Sequence, residues 1–99
     1  MSNTPSAVTV QAGELQACPR MAKMFKLQWE EFQHSWVLLY PEGMVKLNGS
    51  AGEIMKRLNG QTPVADLVAA LERDFATTGL TADVQDFLAM ARQQGWVKS

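Results

Sequence analysis

Few residues in this chain are of a type that does covalent or metal chemistry, and they do not converge. Cys18 is the single cysteine and His34 the single histidine. A nucleophilic thiol needs a base beside it, and a zinc site needs several thiolate or imidazole ligands at close spacing. Neither residue has such company in the sequence, so Cys18 reads as an incidental free thiol and His34 as a solvated loop residue. The patterns HExxH, GxSxG and the glycine-rich phosphate loop are absent. Ser50, Thr62 and Thr81 stand where helices are expected to begin, and capping explains their residue type. Catalysis, a metal and a cofactor are therefore not expected, and attention passes to surfaces that bind.

The elements that would build such surfaces are legible as periodicities. Phe25, Leu27 and Trp29 alternate with Lys26, Gln28 and Glu30, the period-2 pattern of a strand with one buried face. Trp36 to Tyr40 and Met44 to Leu47 flank Pro41-Glu42-Gly43, where Pro presets φ and Gly tolerates a positive one, so a tight hairpin follows. The simplest sheet is an antiparallel meander. Its middle strand is apolar on both faces, and its third strand lies at an edge. Ser50 and Glu53 have capping-box spacing, which predicts a helix from Ser50 to about Leu58, ended by Asn59-Gly60. Thr62 with Pro63 at the first helical position predicts a second helix with a core stripe of Val64, Leu67, Val68, Leu71 and Phe75. Thr81 predicts a third, carrying Asp83 in its first turn and Val84, Phe87, Leu88 and Ala91 as its stripe, ended by Gly95. Trp96 and Val97 are expected to fold back on the core. The fold class is α+β, a three-stranded antiparallel sheet followed by three helices.

With 99 residues, 46% of them hydrophobic, the chain can bury one modest core. Residues 1–20 are small and polar and read as a mobile tail, with a single domain over 21–99. The formal charge of −1 offers no global field for nucleic acid or anionic lipid. No basic n-region with an apolar core opens the sequence, and no run approaches the ~20 apolar residues of a membrane span. A cytoplasmic location is expected.

The run LLYPEGMVKLN from Leu38 to Asn48, followed by Gly49-Ser50-Ala51, together with LQW at Leu27 to Trp29 and Gly95-Trp96 near the end, resembles the PqqD family. These are small proteins of pyrroloquinoline quinone (PQQ) biosynthesis and belong to the precursor-peptide recognition elements. The resemblance extends from near Pro19 to Val97 and implies a winged-helix-like arrangement. It also implies that the leader region of a substrate peptide is bound as a strand beside the third strand, in the cleft between it and the third helix. On this chain one wall is then Met44, Val45, Lys46 and Leu47, and the other is Phe87, Met90, Ala91 and Gln94. The implied partners are the precursor peptide PqqA and PqqE, the radical SAM enzyme that cross-links a Glu and a Tyr side chain of that peptide. The iron–sulfur clusters and S-adenosylmethionine belong to PqqE, since this chain lacks the cysteines to hold a cluster.

The residues alone support a binding role by two features. An edge strand accepts an extended peptide through backbone hydrogen bonds. Val45 is an edge donor if its N–H faces outward. On the third helix, at about 100° per residue, Phe87 lies at one margin of the core stripe with Asp83, Met90 and Gln94 further round. Met90 then either lines a shallow groove or widens the core stripe, and Lys46 either pairs with an acidic peptide or guards the edge against aggregation. Two other readings remain open. A DNA-binding winged helix is weakened by Asp83 and Asp86 at the end that would enter the groove. A self-associating domain would use the same free edge to pair with a second copy as a homodimer.

Overall fold

The computed structural model describes residues 14–98. Its sheet is the expected meander: β2 (Lys26–Glu30), β3 (Ser35–Tyr40) and β4 (Gly43–Lys46), antiparallel in that order. Across the strands Leu27, Leu38 and Val45 form one row, and Trp29 lies opposite Trp36 on the same face. Leu38 on this face is fully buried in the main core. On the other face Val37 is also fully buried, with Gln28 and Lys46 as its ladder partners.

Two sheet expectations are corrected. Trp29 lies on the core face yet is 42% exposed. It belongs to an edge strand, and its indole N–H donates to Glu31 Oε1 at 2.9 Å, keeping the polar rim in water. Gly43 does not take a positive φ. It already pairs with Tyr40, so Pro41 and Glu42 alone make the turn. The other hairpin turns through residues 31–34, where His34 carries the positive φ of 52° and its N–H donates to the Glu31 carbonyl.

Three helices follow: α1 (Gly49–Met55), α2 (Val64–Asp74) and α3 (Thr81–Gln93). Their caps differ from those expected. The α1 N-cap is Asn48, whose Oδ1 accepts from Ala51 N at 2.8 Å, so the Ser50–Glu53 capping box does not form. Glu53 turns instead to Arg57, 2.7 Å away, and Lys56, 3.3 Å away. Thr62 does not cap α2. Asn59 Oδ1 accepts from the N–H groups of Gln61 and Thr62, and Pro63 is the extended residue before the helix. Thr81 is already helical, and Leu80 precedes it with its N–H donating to Glu72 Oε2.

The α2 stripe buries Val64, Leu67, Val68 and Leu71, but Phe75 is half exposed. Ala76 next to it takes a φ of 51°, which turns the chain out of the helix and leaves the Phe75 ring near the Arg57 guanidinium. On α3 Val84, Leu88 and Ala91 are buried and Phe87 is half-buried. Gly95, with φ at 82°, ends the helix, and Trp96 N donates back to Ala91 O. Val97 is buried, and β5 (Val97–Lys98) pairs antiparallel with β1 (Arg20–Met21), a ladder the sequence did not suggest. Residues 14–20, expected in the tail, are packed: the carbonyls of Ala17 and Pro19 accept from Val64 N and Gly60 N. Residues 1–13 of that expected tail lie outside the described residues.

α1 rests directly on β3 at Gly52. A Cβ there would lie 2.3 Å from Cδ1 of Trp36, far inside contact distance. At Gly49, one turn earlier, a Cβ would meet open space. Gly52→Ala is expected to cost about 1–3 kcal/mol, read as a lowered urea midpoint. Gly49→Ala is expected to stay within about 0.5 kcal/mol of the parent.

A charge clamp joins α1 to α2. Arg57 donates to Glu53 and, through Nη2, to Asp74 Oδ2 at 2.8 Å. Its guanidinium holds the carboxyls of Glu53 and Asp74 below their usual range, against the opposing effect of desolvation. The unfolded chain therefore takes up these protons at higher pH than the folded one. The clamp's contribution is complete above the ordinary carboxylate pKa and is lost as pH falls through the depressed values. The urea midpoint should decline below about pH 4.5, and Arg57→Ala should show a shallower decline from a lower starting point.

Candidate functional site

β4 has one strand neighbour among the described residues, and the parity of its ladder decides which groups face outward. Leu47 N donates to Trp36 O at 2.9 Å, in register with the β3–β4 pairing. Antiparallel ladders alternate bonded and unbonded pairs. Val45 therefore exchanges its hydrogen bonds with Leu38, and Gly43 with Tyr40. The N–H and C=O of Met44 and Lys46 point away from β3 into the free edge. The question left open for Val45 is answered: its N–H faces inward.

The expected site residues fall into two groups. Met44 is 56% exposed, and Lys46 is exposed with it on the sheet face away from the main core. Val45 and Phe87 are half-buried against that core. Met90 is 38% exposed and Gln94 is exposed, so the third helix carries a partly apolar flank of Asp83, Phe87, Met90 and Gln94. Leu47 and Ala91 are buried core residues and offer no side-chain surface. The opposite flank of α3 is engaged by the N-terminal segment, where Arg92 Nη2 lies 2.8 Å from Glu14 Oε2 in an ion pair outside hydrogen-bond geometry.

Sequence reasoning missed one feature here. A groove of about 420 Å³ opens between α1, the end of α2 and the start of α3, walled by Ile54, Leu71, Phe75, Leu80 and Val84, with Ser50, Glu53 and Asp83 at its polar margin. The displaced Phe75 ring makes one wall, and the sequence carries no signal for that displacement beyond the Thr77-Thr78-Gly79 break. Asp83 belongs both to this groove and to the α3 flank. Cys18 and His34 remain apart from it, His34 lying edge-on to Trp29 at 6.4 Å. Among the described residues no helix is long and apolar enough to cross a membrane.

The family model described as "Coenzyme PQQ synthesis protein D (PqqD)" matches residues 35–97. The chain belongs to the PqqD family. Relatives named "PqqA binding protein" include one from Azotobacter vinelandii, 44% identical over 81% of this chain and 88% of its own length. Another, from Pseudomonas aeruginosa, is 46% identical over 85% of this chain and 92% of its own. The fold matches the solution NMR structure of the PqqD truncation of Methylobacterium extorquens PqqCD, described as a stand-alone RiPP recognition element. That match has a TM-score of 0.71 and 24% identity, covering 82% of this chain and 88% of the other. The PqqD-family fold is thus an α+β one, a three-stranded antiparallel sheet with helices.

Partial exposure of Met90 makes a stability forecast that separates flank from core. Met90→Asp should change unfolding free energy by less than about 1 kcal/mol. Leu88→Asp, which strands a carboxylate among buried apolar groups, should cost more than about 4 kcal/mol. Urea titrations of the two variants check the contrast.

Proposed function

We propose that this chain is a non-catalytic peptide adaptor of PQQ biosynthesis that binds the precursor peptide PqqA by strand addition and presents it to PqqE in the cytoplasm. The observation that carries the reading is the free edge of β4, with the backbone groups of Met44 and Lys46 directed outward. The relatives named for PqqA binding support the choice of peptide. An extended segment beside β4 exchanges backbone hydrogen bonds with Met44 and Lys46, and its side chains alternate between the two faces of the sheet. Those on the helix side meet Val45 and the flank of Phe87, Met90 and Gln94. Apolar Phe87 and Met90 can accept an apolar residue of the peptide, and the Met90 thioether adapts to its shape.

The adaptor's contribution is positional. Holding the peptide raises its effective concentration at the enzyme, which needs no reactive group in the adaptor. The winged-helix DNA-binding reading is disfavoured by Asp83 and Asp86, both exposed toward the N-terminal end of α3, where phosphates would lie. Binding as an extra strand also makes self-pairing through β4 a competitor of the peptide.

An ¹⁵N–¹H NMR titration with synthetic PqqA tests the reading. Saturable shifts are expected at residues 44–48 and 83–94. Met44→Pro and Lys46→Pro each delete an outward N–H and should weaken PqqA by on the order of 1 kcal/mol, as should Met90→Asp in its folded state. Val45→Pro breaks an inward bond and should instead lower stability. Unchanged PqqA affinity in folded Met44→Pro and Lys46→Pro would put the peptide elsewhere.

A further inference from the structure

The charges of the chain are segregated. Lys56, Arg57, Arg73 and Arg92 pair with carboxylates at 2.7–3.4 Å. Every Asp and Glu of the sequence is among the described residues. None of them forms an ion pair with Arg20, Lys23, Lys26, Lys46 or Lys98. Three of these five cations converge on one open groove of about 470 Å³, lined by Arg20, Ala22, Lys23, Met24 and Lys98. Met24 is 63% exposed in it. Arg20 and Lys98 are direct partners across the β1–β5 ladder, a like-charge opposition that disfavours that pairing.

We propose that this groove is the docking surface for an acidic segment of the protein that receives the peptide, carboxylates seated between Arg20, Lys23 and Lys98 and an apolar side chain on Met24. The inference rests on the adaptor reading and names the surface used for the hand-over. Charge complementarity identifies the occupant. A bridging carboxylate relieves the Arg20–Lys98 repulsion, which nothing within the described chain does. A nucleic acid fits less well: three cations fall short of the roughly 6–10 phosphate contacts that give strong binding, and the overall charge is −1. The exposed thioether at the groove also suits an apolar side chain rather than a phosphate.

The groove lies on β1 and β5, whereas the proposed peptide edge is β4 in the other sheet, so the two sites are separable by mutation. Binding of the full chain, with PqqA bound, is measured against purified PqqE for the parent, Lys23→Glu, Lys98→Glu and Arg73→Glu. Arg73→Glu makes the same change in net charge at an exposed α2 position outside the groove. Each groove reversal should weaken PqqE binding roughly tenfold and flatten its salt dependence, with PqqA affinity unchanged. Arg73→Glu should leave both affinities as they are.

Lys98→Glu carries a second signature. It places opposite charges across the ladder, so it should raise the melting temperature while weakening PqqE, a combination that damage to the fold does not produce. Equal PqqE affinity in the groove and Arg73 variants overturns the inference. So does a loss of PqqA affinity in Lys23→Glu, which would assign the groove to the peptide, or tight single-stranded RNA binding abolished by that change. A parent chain that binds PqqA but not PqqE overturns the groove inference and the presentation to PqqE, and leaves strand addition of PqqA standing. One that binds neither overturns the adaptor reading with it.

Discussion

The domain depends on a missing side chain. Because residue 52 is glycine, the backbone of α1 can approach the Trp36 ring of the middle strand to a distance that no other residue permits. That contact sets the height of the helical layer above the sheet. Trp36 is then bounded on one side by α1 and on another by Trp29, whose ring meets it at 5.3 Å in an edge-on arrangement, with the Lys56 ammonium over its face at 5.8 Å. Arg57, one residue beyond Lys56, ties the end of α1 to the end of α2 through Glu53 and Asp74. Sheet, first helix and second helix are thus linked through a span of six residues, and α3 packs its Val84, Leu88 and Ala91 stripe into the core they share.

The order of elements was readable because it depends on periodicity, which is local. Alternation over residues 25–30 and the turn at Pro41-Glu42 determine the meander, and the stripes of α2 and α3 appear where their spacing puts them, Phe75 excepted. Helix starts were not readable to the residue. Asn48, Ser50, Asn59 and Thr62 are all competent caps, so the sequence contains more candidates than ends, and tertiary packing selects among them. Glu53 is lost to a capping box because the Arg57 guanidinium just past the end of the helix, which also bridges to Asp74 of α2, is a stronger partner than a backbone N–H. The exposure of Trp29 was likewise invisible: pattern assigns a face of the sheet, but only the extent of the helical layer decides how far across that face burial reaches.

The candidate site shows the same division. Sequence locates β4 at an edge and Met90 at the margin of a stripe. It does not reveal ladder parity, which depends on the turn between β3 and β4, and parity decides that Met44 and Lys46, not Val45, present backbone groups to the edge. Such a site leaves no side-chain signature of the kind catalysis leaves, because its acceptor and donor groups belong to the backbone and occur at every residue. Leu47 and Ala91 illustrate the converse: they lie within the segments that flank the edge and the helix, yet their side chains are committed to the core.

The β1–β5 ladder brings Arg20–Met21 alongside Val97–Lys98, which ties a segment near the start of the described chain to its end. A neighbour can be spliced onto a chain that ends in such a ladder without disturbing the three-stranded sheet. Joining it at the C-terminal end would cost little beyond the entropy of the linker, and the tethered neighbour would begin its path beside the cationic groove, which Lys98 lines. A neighbour attached there would therefore start from the two-stranded sheet and leave the free edge of β4 in the other.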